Sequence, residues 1–165
     1  MDQFGRSVSW LDSYMIALGR TKAADAWLSI APLADKLTAQ DAYSHFRAVS
    51  LAAESLGDRR AVAALSRLLS LPGVAGHAMR YKADAIPLIR DYKYFTQKNL
   101  GVADKERGDS LRELCLARAL WRLGDTANGL GRRTLETYLD DPRRAYANHA
   151  RLVLDAASPA SASGR

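Results

Sequence analysis

One cysteine in 165 residues leaves no intrachain disulfide, and a lone thiol cannot build a zinc site. That residue, Cys115, stands in the apolar run Leu114-Cys115-Leu116-Ala117 and reads as a small core side chain. Long apolar runs are missing too. No stretch approaches the ~20 residues that a membrane span needs. Asp2, Arg6 and Asp12 fall where a signal peptide carries its apolar centre. The expectation is a soluble, cytoplasmic chain with no membrane partner.

The familiar signatures of catalysis are absent as well. There is no Gly-x-Ser-x-Gly elbow, no phosphate-binding Gly-Lys-Ser/Thr loop and no His-Glu-x-x-His pair. His45, His77 and His149 lie far apart, and none has a second histidine three or four residues away, so no metal site is expected. A small helical enzyme built around a converged His77 and His149 ranks last among the readings. Acidic pairs such as Asp140-Asp141 sit where carboxylates stabilise free amides at helix ends. No segment alternates apolar and polar residues between hairpin turns, which leaves no strand.

What is present is helical periodicity. Ala23, Trp27, Ile30, Ala34 and Leu37 recur at steps of three and four, as do Ala42, Phe46, Val49, Ala53 and Leu56, and later Tyr146, Ala150, Val153 and Ala157. With 48% hydrophobic and 25% charged residues the chain lies outside the disordered regime and has enough apolar surface for a core. Thr38 with Asp41, and Ser110 with Glu113, have capping-box spacing. Asp141-Pro142 reads as an N-cap with proline at the first helical position, and Gly19, Gly57 and Gly124 as C-cap glycines.

Three segments share a helix, Leu-Gly turn, helix pattern, and the Leu-Gly pairs begin at residues 18, 56 and 123, which are 38 and 67 residues apart. The first interval is near the ~40-residue period of helical repeats, and the second is about one period plus an insertion. A single helix pair cannot bury its apolar face alone, so successive pairs stack and share a core. Segment 110–124 fits such stacking, because Leu111, Leu114, Leu116, Ala119, Leu120, Trp121 and Leu123 cover more than one side of a helix. The predicted fold is therefore all-α, a HEAT-like α-solenoid of three to four stacked helix pairs. It fills residues 1–157 as one domain with an irregular insertion at 72–109, followed by a disordered tail at 158–165.

Several pieces resemble a known family. Leu51-Ala-Ala-Glu-Ser-Leu-Gly-Asp58 and its continuation to Leu69 resemble a HEAT-like repeat of the lyase-associated bacterial type. Leu69-Ser-Leu-Pro-Gly-Val-Ala-Gly-His-Ala78, Leu111-Arg-Glu-Leu-Cys-Leu-Ala-Arg-Ala-Leu-Trp-Arg-Leu-Gly-Asp125 and Tyr146-Ala-Asn-His-Ala-Arg-Leu-Val-Leu154 resemble the C-terminal helical region of bacterial FAD-dependent oxidoreductases. The likeness covers residues 43–78 and 109–155. It implies association with a flavoenzyme and not flavin chemistry in this chain. Gly129-Leu-Gly131 is the only Gly-x-Gly, and it lacks both the preceding strand and the third glycine of a dinucleotide site. No cofactor is expected here.

The functional expectation is a non-catalytic interaction or scaffold module whose partner is a protein or an adjoining catalytic domain. The alternative follows from a net charge of +6, mostly arginine. Arg118 and Arg122 form a one-turn stripe, and Arg132, Arg133, Arg143, Arg144 and Arg151 lie on the next two helices. Stacking would merge them into a basic face for nucleic acid, unless Glu113, Glu136 and Asp155 pair with them. Tyr81-Lys82 and the run Tyr92-Lys93-Tyr94-Phe95 are a second candidate surface, for a ligand or for docking the catalytic domain.

Overall fold

A computed structural model of the chain describes residues 9–81, 83, 97–124 and 127–156, with only the backbone for 97–105. Among these residues there are seven helices and no strand: α1 (Trp10–Thr21), α2 (Ala26–Lys36), α3 (Tyr43–Leu56), α4 (Ala61–Leu69), α5 (Gln97–Arg122), α6 (Leu130–Thr137) and α7 (Arg144–Asp155). None is long and apolar enough to cross a membrane. The tail 158–165 lies outside the described residues.

The apolar stripes become the core. Trp27, Ile30 and Ala34 of α2 are buried, with Phe46, Val49 and Ala53 of α3 and Ala150 and Val153 of α7. Ala23 is exposed because α2 begins three residues after it. α3 packs against α1 on one side and α5 on another, α2 touches α4, and α5 also contacts α4, α6 and α7. Enclosed in this way, α5 buries Leu114, Cys115, Leu116, Ala117, Ala119 and Leu120 in succession. A helix apolar on several sides is stable only when neighbours cover each of them.

The helix ends depart from the sequence signals in four places, three of them for a local reason. Gly19 is inside α1, and the chain turns at Lys22 in the left-handed region, φ 54°. Gly19 is needed for closeness: a Cβ there would lie 2.5 Å from Cα of Ala52 on α3. Thr38 and Asp41 close a turn before α3, with Oδ2 of Asp41 accepting the Thr38 N–H at 2.7 Å, and the helix starts at Tyr43. Helix α7 starts at Arg144, and Asp141 accepts the Arg143 N–H at 2.9 Å instead of capping from its own position. Gly57 (φ 66°) and Gly124 (φ 93°) do end their helices in the left-handed conformation.

The insertion at 72–109 is not irregular throughout. Residues 97–109 form the first half of α5, and Ser110 lies in mid-helix, not at its start. The Ser110 and Glu113 side chains, read as a cap, point to a different chain segment and hold it, as described below.

Cys115 is a core residue: its Sγ is 3.5 Å from Oγ of Ser50 and 3.2 Å from the Arg112 carbonyl. Burial pushes its thiol up to about 11. A thiol reagent should therefore label Cys115 only in denaturant, and fast labelling of the folded chain would contradict this placement. Gly19→Ala and Gly131→Ala should each destabilise the protein by about 1–3 kcal/mol in urea unfolding, because overpacking outweighs the helix-propensity gain. At Gly131 the added Cβ meets the Ala117 carbonyl at 2.7 Å.

Candidate functional site

Six of the seven arginines expected to form a basic face have partners. Glu54 of α3, its side chain 7% exposed, accepts from Nε of Arg118 at 2.8 Å and from Nη1 of Arg122 at 2.6 Å. The one-turn stripe on α5 is real, but it closes on a single carboxylate. Arg132 pairs with Glu136 one turn along α6 at 2.8 Å, and Arg133 donates to the Asn128 carbonyl. Arg151 reaches Oδ1 of Asn148 at 3.4 Å, and Arg144 is exposed at the start of α7. Glu136 thus plays the pairing role expected of it, whereas Glu113 does not.

His149 joins the Glu54 group. It is half-buried near Arg118 and Arg122, and burial followed by those two charges holds its imidazole below the ordinary range, against the opposing pull of Glu54. His77 belongs to a different environment, with Nε2 3.1 Å from the Gly73 carbonyl of its own loop. Among the described residues no group of three metal-binding side chains forms. Tyr92 and Tyr94 lie outside the described residues, and Tyr81 is exposed.

The most developed polar arrangement involves residues that sequence spacing had assigned to helix caps. Glu113, 3% exposed, accepts the N–H groups of Gly76 and His77, each at 2.9 Å, and the Tyr138 hydroxyl at 2.7 Å. Asp141, also 3% exposed, accepts the Met79 N–H at 2.9 Å. Arg143 donates to Asp141 at 2.7 Å, to the His77 carbonyl at 2.8 Å and to Oγ of Ser110 at 2.9 Å, and its guanidinium lies 4.4 Å from the Tyr146 ring centroid. Together these side chains of α5 and of the α6–α7 connection grip the backbone from Gly76 to Met79. Of the seven arginines, Arg143 is the one whose role is internal.

The electrostatics follow from that geometry. Burial pushes the Asp141 carboxyl up, but hydrogen bonds from the Arg143 side chain and from the Met79 and Arg143 amides outweigh it, and the net position is below the usual carboxylate range. Burial, then the charge of Glu113, raises the Tyr138 phenol, which stays protonated and donates.

Two further features have no local sequence signal. Asp12 of α1 is 2% exposed, and its Oδ1 lies 2.6 Å from Nδ1 of His45 on α3, while Oδ2 is buried without a hydrogen-bond partner. The two residues are 33 positions apart. A cleft of about 630 Å³ opens between the α2–α3 turn, Pro72-Gly73 and residues 107–112 of α5.

No family model, no curated protein and no solved structure matches the chain.

Glu113→Ala should destabilise the protein by about 2–4 kcal/mol, since two backbone amides and a phenol lose their acceptor inside the fold. Tyr138→Phe should cost about 1 kcal/mol. A carboxyl whose folded pKa is depressed contributes stability above its unfolded value near 3.9, and that contribution fades as the pH falls through the lower folded value. Urea titrations below about pH 4 should therefore show a shallower acid loss of stability in Asp141→Asn than in the parent. Identical slopes would exclude Asp141 as a contributor.

Proposed function

We propose that the chain is a HEAT-like interaction module of stacked helix pairs, acting as the C-terminal accessory region, or a detached relative, of a FAD-dependent oxidoreductase. The observation that carries the solenoid reading is the packing order. α1, α3 and α5 follow one another as neighbours, and α2 lies beside α4. Two parallel rows of that kind are how helix pairs share faces along a solenoid. The interior polar groups support the scaffold role, since Glu113, Asp141 and Arg143 are engaged in holding backbone in place. The flavoenzyme association rests on the sequence resemblance of residues 43–78 and 109–155, and helical repeats by themselves host many roles.

Nucleic acid is the competing partner, and the arginine pairing weighs against it. Arg118, Arg122, Arg132 and Arg143 each have a carboxylate within 2.8 Å. Of that set of seven, Arg133, Arg144 and Arg151 are left for phosphate contacts, which would be salt-sensitive.

The test mixes the purified chain with FAD alone and, where the neighbouring reading frame encodes a protein with a dinucleotide-binding glycine motif, with that protein loaded with FAD. The expected result is no flavin retained by the chain alone and a complex of fixed stoichiometry with the catalytic protein on gel filtration. Stoichiometric FAD in the isolated chain, with turnover of a substrate, would defeat the non-catalytic reading. Tight binding of a DNA or RNA duplex at both low and moderate salt would replace it with the nucleic-acid one.

A further inference from the structure

The cleft beside α5 is not part of the Gly76–Met79 clamp, and its lining has a chemistry of its own. Its volume of about 630 Å³ suits a small molecule, since ligand sites run from roughly 300 to 1,000 Å³. Ala39, Tyr43, Pro72 and Leu111 supply apolar wall. Two acids and two arginines also line it, and three of these four are already engaged with protein. Asp41 accepts the N–H and hydroxyl of Thr38 at 2.7 and 2.9 Å. Arg112, its side chain 8% exposed, pairs with Asp109, donates to the Ala39 carbonyl and lies 5.1 Å from the Phe46 ring centroid.

Arg107 is different. It is exposed on the cleft wall, and it lies close enough to the hydroxyls of both Tyr43 and Tyr146 to act on them electrostatically. Burial raises the Tyr43 phenol, and the charges of Arg47, Arg118 and Arg107 pull it back only in part, so it stays protonated as a donor on the cleft wall. An anion entering there meets the exposed guanidinium of Arg107, which can turn toward it, and a phenol able to donate, in a lining where Asp41 and Asp109 balance the two arginines.

We propose that this cleft binds a small organic monoanion, a carboxylate carried on an apolar body, with Arg107 as its charge partner and Tyr43 as its wall and hydrogen-bond donor. The apolar body is set by Ala39, Pro72 and Leu111. The single charge is set by Asp41 and Asp109. Both repel an anion, and because Asp109 holds Arg112, a second charge on a phosphate dianion would find no further guanidinium to pair with among the described lining residues beyond Arg107.

The probe is 2-naphthoate, titrated into the full chain and followed by amide NMR shifts. Controls are its neutral amide, 2-naphthyl phosphate and the Arg107→Gln variant, with a thermal melt to show that the variant folds as the parent does. Arg107 is exposed, so the substitution leaves the core untouched. The expected result is a set of shifts centred on residues 39–43, 72–73 and 107–112, with affinity about tenfold weaker for the variant and for the neutral amide. Tyr43→Phe should weaken naphthoate severalfold and the neutral amide by less, since a hydrogen bond to the charged acceptor is the stronger one. The proposal is overturned by an absence of shifts at millimolar naphthoate, by shifts centred elsewhere, or by equal affinity in the variant. Tighter binding of the phosphate than of the carboxylate overturns the monoanion class.

Discussion

Residues 112–120 of α5 are enclosed on almost every side, and the rest of the structure is arranged around that enclosure. Leu114, Leu116, Ala117, Ala119 and Leu120 point to several sides of this stretch, so α3, α4, α6 and α7 must all be in place to cover it, and solvent reaches it on the side of Arg122. Close approach is achieved with small residues: Gly131 sits against Ala117, and at the far side of α3, Gly19 sits against Ala52. The polar residues that fall on the enclosed helix have no water to turn to and must find partners inside the fold. Ser110, Arg112 and Glu113 meet that requirement by binding backbone groups of the segments that pass over α5. The same necessity that buries them fixes the loop from Gly76 to Met79 on one side and the turn at Ala39 on another.

This arrangement redistributes the positive charge. A count of arginines along α5, α6 and α7 suggests one basic face, yet Glu54 reaches across from α3 to hold Arg118 and Arg122 together, and Arg143 turns inward. His149 ends up beside that same Glu54 group, where burial and two cations favour its neutral form. An exposed cation that faces the larger of the two described cavities is Arg107, which no motif marks. Its significance comes from what folding places around it: the phenol of Tyr43 from α3 and the apolar edge of Pro72.

Much of the fold was legible because burial imposes a period. Phe46, Val49 and Ala53, or Ile30 and Ala34, are core residues for the same reason that they recur every three or four positions. The crowded apolar composition of 110–124 correctly signalled a helix covered from several directions. Capping signals were less dependable. Ser110 with Glu113 has the spacing of a cap, but that spacing places any two side chains on one helix face and does not say whether their partners are local amides or amides 36 residues away. Gly19 shows a similar ambiguity, since glycine serves equally to turn a chain and to let two helices touch.

What the sequence by itself determined is the all-helical class, the segments that form most of the helices, and which apolar residues enter the core, because these depend on periodicity and composition within a window of a few turns. Only the tertiary structure decided that Glu113, Asp141 and Arg143 would clamp a loop, that Asp12 would meet His45, and that a cleft would open beside Arg107. Each of these depends on groups brought together from distant parts of the chain, and the free energy of a buried polar contact is set by its surroundings in space, which local spacing does not encode.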